Sequence, residues 1–106
     1  MANHLLMVST FNNRAEAEAV AAELVDRRLV ACAQISAPVL SVYRWQGSTE
    51  RTEETTLILK TRSDRYPEVE AALLELHSYE TPEIIAVPIA AGSPSYLQWI
   101  DENVTQ

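Results

Sequence analysis

The sequence predicts an α+β sandwich with elements in the order βαββαβ and an extra helix at the carboxyl end. Two observations carry this. Short apolar runs suited to strands alternate with segments whose apolar residues recur at helical spacing, and turn-forming residues (Asn12-Asn13, Pro38, Gly47-Ser48, Gly92-Ser93-Pro94) separate them. The chain has 106 residues, 47% of them hydrophobic, which fits one ordered domain over 1–106 with a single core.

Leu5-Leu6-Met7-Val8 is too short for a helix and reads as a buried strand. Asn13, followed three residues later by Glu16, resembles a capping box, and Ala17, Val20, Ala21 and Leu24 then fall on one helical face. Arg27 and Arg28 complement that helix's carboxyl end. From Leu29 to Ile35 the pattern is extended; it breaks at Pro38, which lacks an amide proton, and resumes from Val39 to Trp45. A turn is expected at Gly47-Ser48-Thr49 and a further strand over Thr55–Thr61, rich in β-branched residues. Together they make a hairpin longer than average strands require, so part of it projects as an arm ending in Tyr43 and Trp45.

Ser63 and Asp64 are placed to cap a second helix, with Pro67 in its first turn and Tyr66, Val69, Leu73 and Leu76 as its apolar stripe, ending near His77. Ile84–Val87 is the fourth strand, closed by Pro88. Ser93 caps the last helix, Pro94 opens it, and Tyr96, Leu97, Ile100 and Val104 are expected to face inward. This order is the split βαβ, ferredoxin-like arrangement. Two helices cover one sheet face. The other would expose Val, Leu, Ile, Tyr and Trp, which predicts a homo-oligomer.

Net charge −7, from 15 acidic and 8 basic residues, argues against nonspecific binding to nucleic acid or an anionic membrane and favours cationic ligands. No run approaches the ~18 apolar residues of a membrane span. The single Cys32 and an amino terminus without a secretory pattern lead to the expectation of a cytoplasmic protein. An enzyme is not expected, because there is no G-x-S-x-G elbow, no phosphate-cradling glycine loop and no C-x-x-C or H-x-x-H pair.

The richest chemistry lies in His77-Ser78-Tyr79-Glu80-Thr81-Pro82-Glu83, between the second helix and the fourth strand. His77 has two readings: a helix carboxyl-terminal cap, or a metal ligand with Glu80 and Glu83 following on a loop that Pro82 constrains. Cys32, among alanines, is either a small buried hydrophobe or a soft thiolate ligand. Lys60 either pairs with one of the loop carboxylates or receives an anion. His4 reads as solvated.

The blocks Ala31–Ile35, Ser41–Gly47, Glu54 through Thr61, His77–Ile84 and Tyr96–Ile100 resemble the CutA divalent-cation-tolerance family in order and spacing, over essentially the whole chain. The resemblance implies a ferredoxin-like protomer in a homotrimer, similar to the PII signalling proteins, whose clefts between subunits bind small effectors. It implies a role in divalent-metal tolerance, with copper the metal some members are described as binding. Aligned by motif, the family's copper-ligand cysteine is Ser9 and the first of its two histidines is Leu76; His77 alone matches. Two ligand readings follow: a divalent metal held through His77 with nearby carboxylates, or a small polar metabolite in a cleft lined by Lys60, Tyr79, Glu80, Glu83 and Trp45.

Overall fold

The computed structural model describes residues 2–105. At its centre β1 (His4–Phe11) and β4 (Ser48–Arg62) run antiparallel, from His4 opposite Arg62 to Phe11 opposite Thr55. β2 (Cys32–Ile35) flanks β4 and β5 (Ile85–Pro88) flanks β1, giving the order β2-β4-β1-β5. β3 (Val39–Trp45) pairs with the outer part of β4. With α1 (Arg14–Asp26) after β1 and α2 (Tyr66–Leu76) after β4, this is the ferredoxin-like fold, extended by α3 (Pro94–Asn103).

The strand period of two divides the sheet. Met7, Ser9 and Phe11 of β1 and Thr55, Leu57, Leu59 and Thr61 of β4 are buried, and the apolar ones join Ala17, Val20, Ala21 and Leu24 of α1 and Val69, Ala72 and Leu73 of α2 in one core. Leu6, Val8, Ile58 and Lys60 alternate onto the opposite face. The apolar surface expected there is present: Ile85 and Val87, opposite Val8 and Leu6, are 49% and 50% exposed, and Tyr43 and Trp45 on the arm 40% and 43%. The arm comprises β3 and the outer half of β4, whose residues from Ser48 to Glu53 are all exposed. A two-stranded ribbon without a covering layer is marginal alone, so it calls for a contact beyond its own sheet.

Several local expectations change. The hairpin turn is Gln46-Gly47, with φ of 49° and 84°, because a two-residue loop matching strand twist needs positive φ at both positions; β4 therefore begins at Ser48 instead of Thr55. The stretch expected to extend from Leu29 enters the sheet only at Cys32, since Arg28 turns left-handed (φ 59°) and the Leu29 amide donates to Leu24 O at 3.1 Å. Ser63 and Asp64 do not cap α2. They form a short 3-10 turn, Ser63–Arg65, in which Ser63 Oγ donates to Ala2 O (2.8 Å) and Asp64 receives the Arg62 guanidinium (2.7 and 3.0 Å). Asn13 caps α1 by accepting from the Glu16 amide at 2.8 Å, whereas Glu16 Oε1 is buried without a hydrogen-bond partner, so only half of a capping box forms.

α3 is fastened by both polar and apolar contacts. Ile100 and Val104 are buried, as expected, but Tyr96 is exposed. Its ring lies 5.8 Å from Lys60 Nζ, on the open side of the sheet. His4 is not solvated: its Nε2 meets Asp101 Oδ1 at 2.8 Å and ties the helix to β1. Arg28 donates to Glu102 O at 2.6 Å, and Thr105 N to Arg28 O at 2.8 Å.

Candidate functional site

His77 is where the candidate loop begins. α2 ends there because the backbone turns extended (φ −80°, ψ 141°) while the His77 amide still donates to Leu73 O. The imidazole is 9% exposed and stacks on Phe11 at 4.1 Å between ring centroids. Its Nε2 lies 2.7 Å from Thr10 O, and its Nδ1 is 3.1 Å from the Tyr79 amide. A carbonyl only accepts and an amide only donates, so hydrogen sits on Nε2 and the Nδ1 lone pair is engaged. No lone pair on this ring is free for a metal. The residues at the copper-ligand positions of the resemblance do not fit that metal: Ser9 offers a hydroxyl, fully buried with Oγ unpartnered, Leu76 is aliphatic, and His77 is occupied. His77 occupies the carboxyl-terminal cap position of α2, but its ring meets Thr10 O and the Tyr79 amide and no carbonyl of the helix. The ring joins the end of α2 to the end of β1.

From this anchor the chain rises into a cleft of about 300 Å³, lined by Thr10, Tyr43, Trp45, Glu54, Tyr79, Glu80, Thr81 and Glu83. Strand alternation builds its floor. Tyr43 and Trp45 share a face of β3, Glu54 lies on the same side of β4, and Thr10 and Thr56 continue it toward β1. Tyr79 closes the inner end, donating its phenol to Glu54 Oε2 at 2.9 Å, with its ring 4.7 Å from that of His77. Glu80 and Glu83 are exposed and have no hydrogen-bond or ion-pair partner among the described residues.

The structure thus brings together Trp45, Tyr79, Glu80 and Glu83. It does not bring Lys60 or Cys32 to them. Lys60 projects from the open sheet face, where Nζ donates to Gln34 Oε1 at 2.8 Å, so it pairs with none of the loop carboxylates. Cys32 is half-buried opposite Lys60 in β2. Among the described residues no three His, Cys, Asp or Glu side chains are grouped to hold a metal ion. Glu54, Thr10 and Tyr43 were missing from the candidate residues. Alternation would have found Glu54 and Tyr43 once β4 was traced back to Ser48.

Burial, and then the hydrogen bond to Glu54, pushes the Tyr79 phenol well above the ordinary tyrosine value. The folded state therefore holds this proton more tightly than the unfolded chain does. The resulting stability is fully present below the unfolded value of about 10 and is lost as pH rises through the folded one. Wild type and Tyr79→Phe are expected to show a constant difference in urea midpoint between about pH 7 and 9, about 1 kcal/mol in favour of wild type for the hydrogen bond. Above about pH 10 the wild type should lose that advantage progressively. Parallel curves throughout would mean that the phenol is not held in this environment.

The fold is that of a ferredoxin-like α+β protein with a projecting arm. The chain belongs to the CutA1 divalent ion tolerance protein family, whose model matches residues 5–103. The divalent-cation tolerance protein CutA of Thermus thermophilus is 41% identical over 87 residues, covering 82% of this chain and 84% of that protein. Among solved structures, the periplasmic divalent cation tolerance protein CutA from Archaeoglobus fulgidus superposes with a TM-score of 0.93 at 39% identity, covering 96% of this chain and 99% of that one. CutA1 from the psychrotrophic bacterium Shewanella sp. SIB1 gives 0.96 at 35% identity, covering 99% and 98%.

Proposed function

We propose that this chain is a homotrimeric binding protein of divalent-ion tolerance, without enzymatic activity, whose ligand site is the cleft between the β3–β4 arm and the 79–83 loop. The observation that carries this reading is the convergence of Trp45, Glu54, Tyr79, Glu80 and Glu83 on one concavity built from elements distant in sequence. A cleft of this size suits a small polar molecule. Metal tolerance then operates through what the cleft binds, and direct copper ligation by His77 is the weaker reading, since it requires the ring to give up the Tyr79 amide.

The trimer is supported by the uncovered apolar face and arm. With its single thiol, Cys32, the chain suits the cytoplasm; one relative is titled periplasmic, and no helix among the described residues is long and apolar enough to cross a membrane. Light scattering is expected to give three times the chain mass at micromolar concentration; a monomeric mass would overturn the assembly. A thermal-shift screen of metabolites, nucleotides and Cu(II), Zn(II) and Ni(II) tests the site, since a ligand at 100 times its Kd adds about 2.7 kcal/mol. The expected result is a shift with a small molecule that Trp45→Leu abolishes. No shift with any metabolite or nucleotide would sink the cleft as a ligand site.

A further inference from the structure

The cleft and the open sheet face are one continuous surface. Glu54 of β4 lies on the same side as Thr56, Ile58 and Lys60, and Tyr43 and Trp45 of β3 face the same way, on the side that α1 and α2 leave bare. Charge is divided unevenly over it. At the arm end Glu54, Glu80 and Glu83 line the cleft, and Glu80 and Glu83 have no partner among the described residues. Farther along stands Lys60, the one lysine of the sequence, with Leu6 and Cys32 directly beside it and Val87 beyond Leu6. Its ammonium meets a neutral amide oxygen, Gln34 Oε1, at 2.8 Å and the Tyr96 ring at 5.8 Å, and no carboxylate among the described residues. The next cations on this face are already matched: Arg62 holds Asp64, and His4 meets Asp101.

Covering this face in an assembly withdraws Lys60 from water. An ammonium left with an amide alone is then strongly unfavourable, whereas a carboxylate brought beside it offsets the desolvation of both charges. The same holds for Glu80 and Glu83 once a neighbour closes over the cleft. A single chain satisfies neither, because Lys60 is not among the residues that line its own cleft. In a trimer every contact is head-to-tail, so each copy presents one patch to one neighbour and a different patch to the other. The acidic arm end and the Lys60 end are two such patches, and their charges are complementary.

We propose that the arm of one copy lies on the open sheet face of the next, so that Lys60 of the partner subunit enters the cleft against Glu80 and Glu83, making the cleft a composite site of two chains. The proposal rests on the trimer of the proposed function and adds which surfaces meet and which residue the neighbour supplies. It also gives four exposed aromatic side chains a common cover: Tyr43 and Trp45 on the arm meet the face beside Lys60 that carries Tyr96 and Trp99, whose rings lie 5.6 Å apart.

The test uses the single lysine. A water-soluble carbodiimide joins an amine to a carboxylate in contact with it, so the products formed at Lys60 report its neighbours. Unlabelled and nitrogen-15-labelled full chains are mixed in urea, refolded together, cross-linked and read by mass spectrometry. Lys60 is expected to be joined to Glu80 or Glu83, with light and heavy halves combined in the joined peptides. Lys60→Arg, which keeps the charge but does not react, should remove this product and leave the trimeric mass unchanged. A second measurement reads the coupling. Lys60→Glu, and separately Glu80→Lys combined with Glu83→Lys, should each lower the urea midpoint at a fixed protein concentration, and the triple variant, which reverses every charge in the contact, should recover most of the loss. Residues that do not meet give additive losses. Additive losses, products of Lys60 with other carboxylates, or joined peptides whose two halves always carry the same label would overturn the proposal while leaving the trimer in place. A monomeric mass by light scattering would overturn the assembly, and this contact with it.

Discussion

Phe11→Ala is expected to lower the unfolding free energy by about 4 kcal/mol. The Phe11 side chain is completely buried at the end of β1, in the core shared by α1, α2 and the sheet, and it stacks at 4.1 Å on the His77 ring. Truncation removes the transfer free energy of a phenyl group and leaves a cavity bounded by strands and helices that are held in register and collapse only partly. It also removes the surface against which the imidazole is ordered, so the effect should reach the loop that leads to the cleft. Urea denaturation of wild type and variant at one fixed protein concentration measures the change, because association contributes to the apparent stability of an oligomer. A loss below about 1 kcal/mol would mean that the aromatic pair is not packed as described.

His77→Ala is expected to cost about 3 kcal/mol. The ring joins three things: the core through Phe11, the end of β1 through Thr10 O, and the ascending loop through the Tyr79 amide. Removing it leaves Thr10 O and the Tyr79 amide without these partners and opens a void beside Phe11. Because Tyr79 closes the cleft through Glu54, the variant should also lose ligand-induced thermal shift, by disordering the wall. The double variant with Phe11→Ala should cost less than the sum of the two single changes, since they share one contact. Addition of Cu(II) should leave the wild-type midpoint unchanged, because Nδ1 is engaged and Ser9 and Leu76 complete no donor set. Additive effects in the cycle, or a copper-dependent stabilisation that His77→Ala removes, would return this residue to the role of metal ligand.

The difference between legible and hidden features follows the range of the interactions that fix them. Asn13 before Ala17, Val20, Ala21 and Leu24, and Ser93-Pro94 before Ile100, placed α1 and α3 correctly, since caps and helical periods are local. Ser63 does not cap α2 because a hydroxyl bonds whatever carbonyl the fold presents, and here that is Ala2 O, just before β1 at the same end of the sheet but 61 residues away in sequence. Tyr96 was placed inward by its period, but the open sheet face does not cover it. β4 was cut short at Thr55 because its outer half, Ser48–Glu53, is exposed and charged and carries no burial pattern.

The candidate site divides in the same way. The sequence by itself determined the fold class, the family motifs, the projecting arm and the segment His77–Glu83 as the concentration of chemistry, since these depend on patterning and on neighbours in the chain. Only the tertiary structure decided which of those groups are already engaged and which share a cleft. It buried His77 and engaged both its nitrogens, sent Lys60 to Gln34 on the open face, and set Glu54 and Tyr43 of the arm against Tyr79. The physical reason is that a ligand's availability depends on which lone pairs and hydrogens the fold has already used. Those partners come from Thr10, Gln34 and Glu54, on strands whose register brings them to positions that sequence spacing does not reveal.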